Sequence, residues 1–388
     1  DDDILEVRNI CKYVYIDLNL GSDSSNIDVS ARVYNSAPRP KPTKTYVNSS
    51  SLEDEIKNAR EIRHTTRSCI DNVFDTITKG EKLDVDAVKD VVSDLVDSII
   101  RNPNAQMCLT QLKNRDEYTA QHSINVCVLT ITFARFLGME EKSLNMLGLG
   151  ALLHDVGKMT TPLDILNKPG RLTEEEFKIM KSHPEAGRKI LKDTGAISDR
   201  VIDIAFSHHE RLAGHGYPRG LTSENISPWS KLVAIVDVYD AITSDRCYHD
   251  GMSPTQALTK MYEWRLRDFD PELLEQFIQC IGIYPIGTMV ELNSGEVGIV
   301  ISINEEMRLR PKIMLVLDED KNPYYPNRIV DLSKYQPDGR HEDYCIKAVL
   351  EPNSYGIVIN DYIGDIQNAQ QVNMRKGIVK DTVKQSVS

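Results

Sequence analysis

A histidine followed by an aspartate, His154-Asp155, stands at the end of an apolar run that begins near Leu144. Neither side chain is stable away from water unless it is hydrogen-bonded or bound to a metal. The pair therefore needs polar partners from elsewhere in the chain, which limits the folds that the chain can adopt. Further imidazoles and a carboxylate precede and follow it in the sequence: His122, His183, His208, His209 and Asp237.

Histidines are concentrated in this part of the chain. Seven of the nine lie between residues 122 and 249, and only His64 and His341 lie outside. A lone helix histidine such as His122 or His183 is more often a hydrogen-bonded structural residue, and histidines that served packing alone would predict no bound metal. Histidine is a common ligand for transition metals, and carboxylates bridge them well. Together the seven residues predict one metal site centred on His154-Asp155.

Two positions strengthen the prediction of a metal. Asp237 lies inside the almost wholly apolar helical segment 232–239, where a carboxylate needs a strong partner and a cation is the simplest one. The neighbours His208 and His209 point about 100° apart on a helix. Both can reach one site only from a helix end or into a wide cavity.

A two-metal site would favour phosphoester hydrolysis. Two ions about 3.5–4 Å apart hold a bridging hydroxide and clamp a phosphoryl oxygen, so no side-chain nucleophile is needed. Lys158, one turn after His154, would lie on the same side of the helix and could hold a phosphate or protonate a leaving oxygen. The alternative is that Lys158 is an exposed lysine at a helix end.

Changes of pattern divide the chain into five segments. Short alternating apolar stretches predict a small β-rich module, alternating prolines and serines predict an extended linker, and 3.6-residue periodicity then predicts a helical connector and a helical bundle. Period-two alternation near the end predicts a small β appendage with a tail, including a hairpin turn at Asn293-Ser294-Gly295. The segments are 1–35, 36–51, 52–103, 104–285 and 286–388.

The fold class is therefore mainly α, a helical bundle with upstream helices and a small β segment at either end. The upstream helices, near 52–78 and 83–100, could pair two copies or carry a signal, or they could simply cap the helical core. The bundle helices are predicted near 116–137, 140–158, 173–193, 198–210, 228–245, 253–264 and 270–282.

Charge and cysteine usage exclude several classes of protein. A net charge of -12 argues against bulk binding to nucleic acid or to an anionic membrane. Seven scattered cysteines without a CxxC pair predict reduced thiols in a cytoplasm. No segment approaches ~18 uninterrupted apolar residues, so no membrane span is predicted, and the first residues do not form a signal peptide.

The order of motifs from about residue 104 to 300 resembles the HD-GYP family, a branch of the HD phosphohydrolase superfamily, and residues 1–45 resemble the small β module that often precedes it. The matching residues are Tyr118-Thr119, His122-Ser123, Asn125-Val126, His154-Asp155, Gly157-Lys158, Lys168-Pro169-Gly170, His183-Pro184, Gly187, His208-His209-Glu210-Arg211, Gly216-Tyr217-Pro218, Asp237-Val238-Tyr239-Asp240-Ala241 and Asp245-Arg246.

The resemblance implies an HD-type bundle that hydrolyses a cyclic dinucleotide, usually c-di-GMP, at a centre of two or three ions, commonly iron or manganese. It implies that Asp155 bridges the metals and that Lys158 and Arg246 meet the phosphates. It implies that Gly216, Tyr217 and Pro218 shape the loop lining the substrate pocket. One metal would take His122, His154 and Asp237, and the other His183, His208 and His209.

Three departures from the family pattern bear on the details. Members with a third metal carry a glutamate where Tyr118 stands, which favours two ions here. His249 stands at a position that is usually basic in the family. Ala213 stands where the family usually has an aspartate, and an unusual His215 follows it. The last two changes leave the substrate open between c-di-GMP and cyclic GMP-AMP.

The sequence thus predicts a metal-dependent phosphodiesterase that opens a cyclic dinucleotide to a linear one, with a homodimer through the upstream helices as a further expectation. A rival is a non-catalytic receptor that binds the nucleotide and signals to a protein partner. A second rival is a general HD hydrolase of linear nucleotides, against which the 216–218 loop and Arg246 argue.

Overall fold

The computed structural model describes residues 44–112, 118–244, 251–304, 306–335, 344–364, 366 and 369–371. The expected N-terminal strands of 1–35 lie outside these residues, and the five-segment division stays a prediction. The described fold is mainly α with a small sheet towards the C-terminus, as predicted. Among the described helices, none combines the length and the apolar character that crossing a bilayer needs.

Two long helices precede the bundle and confirm the upstream prediction. Helix α1 spans Leu52–Thr78 and α2 spans Val85–Arg101, and their N-caps Ser51 and Asp84 accept hydrogen bonds from the first helical turns. A short helix, α3, follows at Pro103–Thr110.

The apolar faces of these helices belong to the core of the bundle. Ile56 of α1 and Leu95 of α2 are fully buried in the cluster that also contains the bundle residues. The buried carboxylate of Glu55 accepts hydrogen bonds from Ser98 and from two nitrogens of Arg101, all at 2.8 Å, which ties α1 to α2. The upstream helices therefore complete the helical core, whatever else they do.

The bundle is formed by short helices with brief connections. In chain order they are α4 (Tyr118–Phe136), α5 (Glu141–Leu152), α6 (Leu163–Leu166), α7 (Glu174–Met180), α8 (His183–Thr194), α9 (Asp199–Ser207), α10 (Pro228–Thr243), α11 (Pro254–Trp264) and α12 (Pro271–Ile281).

The prediction of one helix over 140–158 is wrong. Helix α5 ends at Leu152, His154 and Asp155 lie in a turn, and a 3₁₀ helix follows at Val156–Thr160. The imidazole Nδ1 of His154 lies 2.7 Å from the carbonyl oxygen of Ala151, and the next backbone bonds span three residues. The apolar run continues through this change, so the periodicity does not reveal it.

The predicted block 173–193 consists of two helices. Thr173 and Glu176 form a capping box at the start of α7, as the acidic first turn predicted. Helix α8 begins afresh at His183 with Pro184 in its first turn, where the missing proline N–H costs no helical bond. The new start places His183 at a helix N-terminus.

The C-terminal sheet has the order β5-β1-β2-β3-β4-β6, with antiparallel neighbours except for the parallel pair β4 and β6. The predicted strands are present, and the hairpin turn closes with a bond from Leu292 N–H to Glu296 C=O, with Gly295 at a φ of 90°. The strands are β1 (Met289–Leu292), β2 (Val297–Ser302), β3 (Lys312–Leu317), β4 (Pro323–Asp331), β5 (Ile346–Leu350) and β6 (Gln370–Gln371).

One face of this sheet packs on the helices. Met289, Ile299 and Met314 belong to the core of the bundle, whereas the alternate residues Val290 and Val300 belong to a separate cluster on the other face. The Cys108 thiol of α3 lies 3.0 Å from the Ile301 carbonyl oxygen. A short helix, α13 (Ile359–Ile363), also packs on the core of the bundle, and the carbonyls of Ile363 and Gly364 accept hydrogen bonds from Arg60 of α1.

Candidate metal centre

The structure brings all seven predicted ligand residues together. His122 comes from α4, His154-Asp155 from the turn after α5, and Asp237 from the apolar helix α10. His183 begins α8, and His208 and His209 follow the end of α9. The adjacent histidines reach one site because they leave a helix end, which is one of the two conditions that their spacing allowed.

The donor atoms form two groups, and the atoms within each lie no more than 4.8 Å apart. The first group is His122, His154 and Asp237. The second is Asp155, His183, His208 and His209.

Asp155 faces both groups with different oxygens. Its Oδ2 lies 3.3 Å from Nε2 of His154 and 3.7 Å from Nε2 of His122. Its Oδ1 lies 3.3 Å from Nε2 of His183 and 3.7 Å from Nε2 of His208. This carboxylate is therefore oriented to bridge whatever the two groups bind.

Backbone carbonyls orient three of the imidazoles. Nδ1 of His154 is 2.7 Å from the Ala151 carbonyl and Nδ1 of His183 is 2.7 Å from the Met180 carbonyl. Nδ1 of His208 bonds to carbonyls of the preceding turn in the same way. Because a carbonyl only accepts, the proton sits on Nδ1, and Nε2 presents its lone pair to the cluster.

This arrangement fits a cation. The Nε2 lone pairs of His183 and His208 face each other at 3.3 Å. Nε2 of His154 and Oδ1 of Asp155 are buried and have no hydrogen-bond partner among the described residues. Buried polar atoms left in this way cost free energy that a bound cation would recover. Nitrogen and carboxylate donors together suit first-row transition metals.

The charges of the cluster also suit a cation. Burial alone would raise the pKa of Asp155, but Lys158 and His154 outweigh it and hold that pKa well below its usual range. Burial is likewise outweighed at Asp237, whose pKa is lowered by His122 and His209. Burial lowers the pKa of His208 to about 4. Near neutral pH the two carboxylates are therefore ionised and His208 is neutral, as ligands must be.

Lys158 lies at the cluster, but not for the reason that the sequence suggested. Lys158 lies in the 3₁₀ helix, and His154 lies in the turn before it, so the two residues do not share an α-helix. Its Nζ lies 2.5 Å from Oδ2 of Asp155, three residues earlier, and its side chain is only 19% exposed. An exposed lysine at a helix end is therefore not what the structure contains.

The Gly216-Tyr217-Pro218 loop folds against the cluster. A Cβ on Gly216 would lie 2.5 Å from the His209 carbonyl oxygen, so only glycine allows this approach. The Tyr217 amide donates to that carbonyl, and the Tyr217 ring lies 4.5 Å from the His209 ring. Burial and the charge of Asp237 raise the Tyr217 pKa, so its hydroxyl is neutral near pH 7.

Glu210 holds this loop closed, a role that the sequence reasoning missed. Its buried carboxylate accepts hydrogen bonds from the backbone amides of Arg219 and Leu221, both at 2.8 Å. The signal was available, since an ionisable residue directly before a glycine-rich loop is well placed to cap that loop's amides.

Other predicted residues fall elsewhere. Arg246 and His249 lie outside the described residues, as does the side chain of Tyr118. His215 is 49% exposed, and its Nε2 lies 3.0 Å from a carboxylate oxygen of Asp268. The unusual histidine therefore pairs with the segment between α11 and α12.

A steric contact next to the ligands gives a first prediction. A Cβ on Gly157 would lie 1.9 Å from the His183 carbonyl oxygen, whereas a Cβ on Gly187 would meet nothing closer than 3.4 Å. We expect Gly157→Ala to displace the start of α8 and to lower metal content. The free energy of unfolding should fall by about 2 kcal/mol or more. Gly187→Ala is the matched control, because it adds the same methyl across the same contact.

Elemental analysis and urea unfolding of both variants check this prediction. Gly187→Ala should keep wild-type metal content, and alanine is also the better residue inside a helix. Equal behaviour of the two variants would contradict the role of the contact.

Family models match two parts of the chain. A model described as an HD domain matches residues 104–273. A model described as a KOW domain associated with the HD domain matches residues 289–355, which contain most of the sheet.

Similar proteins include two curated bacterial enzymes and one solved structure. A cyclic di-GMP phosphodiesterase of Pseudomonas aeruginosa is 37% identical over 327 residues, covering 83% of this chain and 78% of the relative. A 3'3'-cGAMP-specific phosphodiesterase of Vibrio cholerae is 33% identical over 171 residues, covering 44% of this chain and 37% of that protein. A solved HD-GYP-type protein of Bdellovibrio bacteriovorus has a TM-score of 0.49 at 23% identity, covering 59% of this chain and 72% of that one.

Proposed function

This chain belongs to the HD-GYP family of HD-domain proteins, and on that basis we propose that it is a metal-dependent phosphodiesterase that hydrolyses a cyclic dinucleotide to a linear one. The observation that carries the proposal is the convergence of five imidazoles and two ionised carboxylates into two groups that share Asp155. A binding module has no need of buried, unpartnered ligand atoms at its centre.

We propose two divalent ions, iron or manganese. The first would be held by His122, His154 and Asp237, and the second by the three histidines of the other group. The different directions of the two Asp155 oxygens support its role as the bridge. When bound, such ions would lower the pKa of water and neutralise charge that develops on the phosphoryl oxygens.

The remaining steps fall to the side chains at the rim. The Lys158 ammonium would hold a phosphate and give a proton to the leaving oxygen, since it lies at the edge of the ligand cluster. The neutral Tyr217 hydroxyl and the 216–218 loop would line the substrate pocket beside His209. Arg246 would bind the other phosphate. Asp155 would stay ionised throughout, because the charge of Lys158 and the neighbouring imidazoles together outweigh the effect of burial and keep the Asp155 pKa well below its usual range.

The substrate is c-di-GMP or 3',3'-cyclic GMP-AMP. Both are named as substrates of relatives. The departures at Ala213, His215 and His249 lie in or near the segments proposed to line the pocket. His215 already pairs with Asp268, so it would meet a base only by giving up that contact.

We further propose a bacterial cytoplasm as the location and a homodimer through α1 and α2. The described cysteines are free, which is the usual state of thiols in a reducing compartment. Sedimentation of the purified protein tests the dimer.

Turnover by the purified protein tests the main proposal. Protein loaded with Fe²⁺ or Mn²⁺ is expected to convert at least one of the two cyclic dinucleotides to its linear form, measured by chromatography and mass spectrometry. Metal content is measured on the same sample. Nucleotide binding without turnover, in protein that holds metal, would contradict the enzyme and indicate a receptor.

A further inference from the structure

A buried chain of hydrogen bonds joins the upstream helix α1 to the ligand His122. Nη2 of Arg63, on α1, donates to Oδ1 of Asn125 at 2.5 Å. Nδ2 of Asn125 donates to Oδ1 of Asp240 at 3.0 Å, and Nδ1 of His122 lies 2.7 Å from Oδ2 of Asp240. All four side chains are buried.

Arg63 at one end and Asp240 at the other fix the direction of the bonds in this chain. A guanidinium can only donate and an ionised carboxylate can only accept, so the Asn125 amide must turn its oxygen towards Arg63 and its nitrogen towards Asp240. The Asp240 carboxylate, which accepts from that nitrogen, also accepts the Nδ1–H of His122. In the neutral imidazole, which is the form that binds a metal, Nε2 of His122 then carries the lone pair, and it lies 3.1 Å from a carboxylate oxygen of Asp237.

The burial of Arg63 is otherwise hard to account for. Burial lowers its pKa to about 10, the charge of Asp240 opposes that fall, and its Nη1 has no hydrogen-bond partner among the described residues. A buried guanidinium is unfavourable unless nearby groups match it. Gln121 also donates to Asn125 Oδ1, but an amide can present either end and does not impose a direction.

We propose that Arg63 is a positioning residue: by donating to Asn125 from helix α1 it holds the Asn125 amide and the Asp240 carboxylate in place, and Asp240 determines which nitrogen of His122 faces the metal centre. The inference rests on the proposed metal centre. Arg60, one turn earlier on α1, donates to the carbonyls of Ile363 and Gly364 at 3.1 and 2.8 Å. Helix α1 therefore contacts both the C-terminal segment and the series of hydrogen bonds that ends at His122.

Three substitutions of Arg63 separate direction from bulk. Arg63→Lys keeps a group that only donates, Arg63→Gln supplies an amide that can turn either way, and Arg63→Met removes the polar group. The matched control is Arg67→Met, because Arg67 lies one turn further along α1 and pairs with Asp71 of the same helix.

The Mn²⁺ dissociation constant is measured by competition with a chelator. Loss of a partner that orients a ligand typically weakens metal binding about 10–100-fold. We expect a weakening of about 10-fold or more for Arg63→Met and Arg63→Gln, and little change for Arg63→Lys and Arg67→Met. With saturating Mn²⁺, kcat should recover and KM should stay at its wild-type value.

Two further measurements make the result decisive. Asn125→Leu combined with Arg63→Met should weaken Mn²⁺ binding no more than Asn125→Leu alone, because both act through one chain. Thermal melting shows whether each variant folds, and Arg63→Gln carries the test if Arg63→Met does not. Wild-type Mn²⁺ affinity in a folded Arg63→Gln variant overturns the inference but leaves the enzyme intact. A wild-type protein that binds no metal overturns both.

Discussion

Replacing Asp155 by asparagine is expected to reduce turnover by at least about 10³-fold, equivalent to about 4 kcal/mol of transition-state stabilisation. Asparagine keeps the shape of the side chain but removes the negative charge that faces both ligand groups. The amide NH2 of asparagine would also point at one of the two groups of imidazoles. It would donate to an Nε2 lone pair that a metal needs.

Metal content separates this effect from general damage. Asp155→Asn should hold fewer ions per chain than the wild type while keeping its helical circular dichroism. Asp164→Asn, nine residues later and exposed at α6, is the control and should behave as wild type. Full metal content with near-normal turnover in Asp155→Asn would show that the carboxylate is not the bridge.

Removal of the Lys158 ammonium is expected to have the second largest effect. Lys158→Met should lower kcat by about 10²-fold or more, the usual contribution of a positioned proton donor. Burial apart, the Lys158 charge is the main influence on the Asp155 pKa, so this pKa should also rise in the variant. Metal content should fall much less than in Asp155→Asn, because Lys158 offers no lone pair when protonated.

Two comparisons define the role of this lysine. Lys158→Arg keeps the positive charge but moves the hydrogen-bond donors. Relative to Lys158→Met, it should restore phosphate binding, measured as KM, more fully than it restores kcat. Lys178→Met removes an exposed charge on α7 and should leave both parameters unchanged. Wild-type kcat in Lys158→Met would mean that the ammonium only balances the charge of Asp155.

The clustering of the seven candidate ligands could be predicted because these residues violate the pattern around them. Asp237 interrupts an apolar helix, and His154-Asp155 ends an apolar run, so each demanded a partner. The helices could be predicted because their apolar residues follow a regular pattern. Leu95 and its neighbours on α2 recur at helical spacing because one face is buried.

The turn at His154 could not be predicted in the same way. Helix α5 ends where the His154 side chain bonds to the Ala151 carbonyl and where Gly157 approaches the start of α8. The first is a local bond that apolar periodicity does not show, and the second is a tertiary contact. Arg63 is a second example. Its spacing from Ala59 and Ile70 places it on the buried face of the helix, but nothing in the sequence identifies Asn125 as its partner.

The placement of the sheet bears on how this protein is divided. The first family match ends at residue 273 and the second begins at residue 289, as expected for two modules that follow one another in the sequence. Ile299 and Ile301 nevertheless belong to the same core as the helices that carry the candidate ligands. Removal of the chain after residue 285 would expose to solvent the apolar surface of the bundle that the sheet covers. The family matches divide the sequence into two modules, but the helices and the sheet share one hydrophobic core, and we expect the two parts to unfold in a single transition.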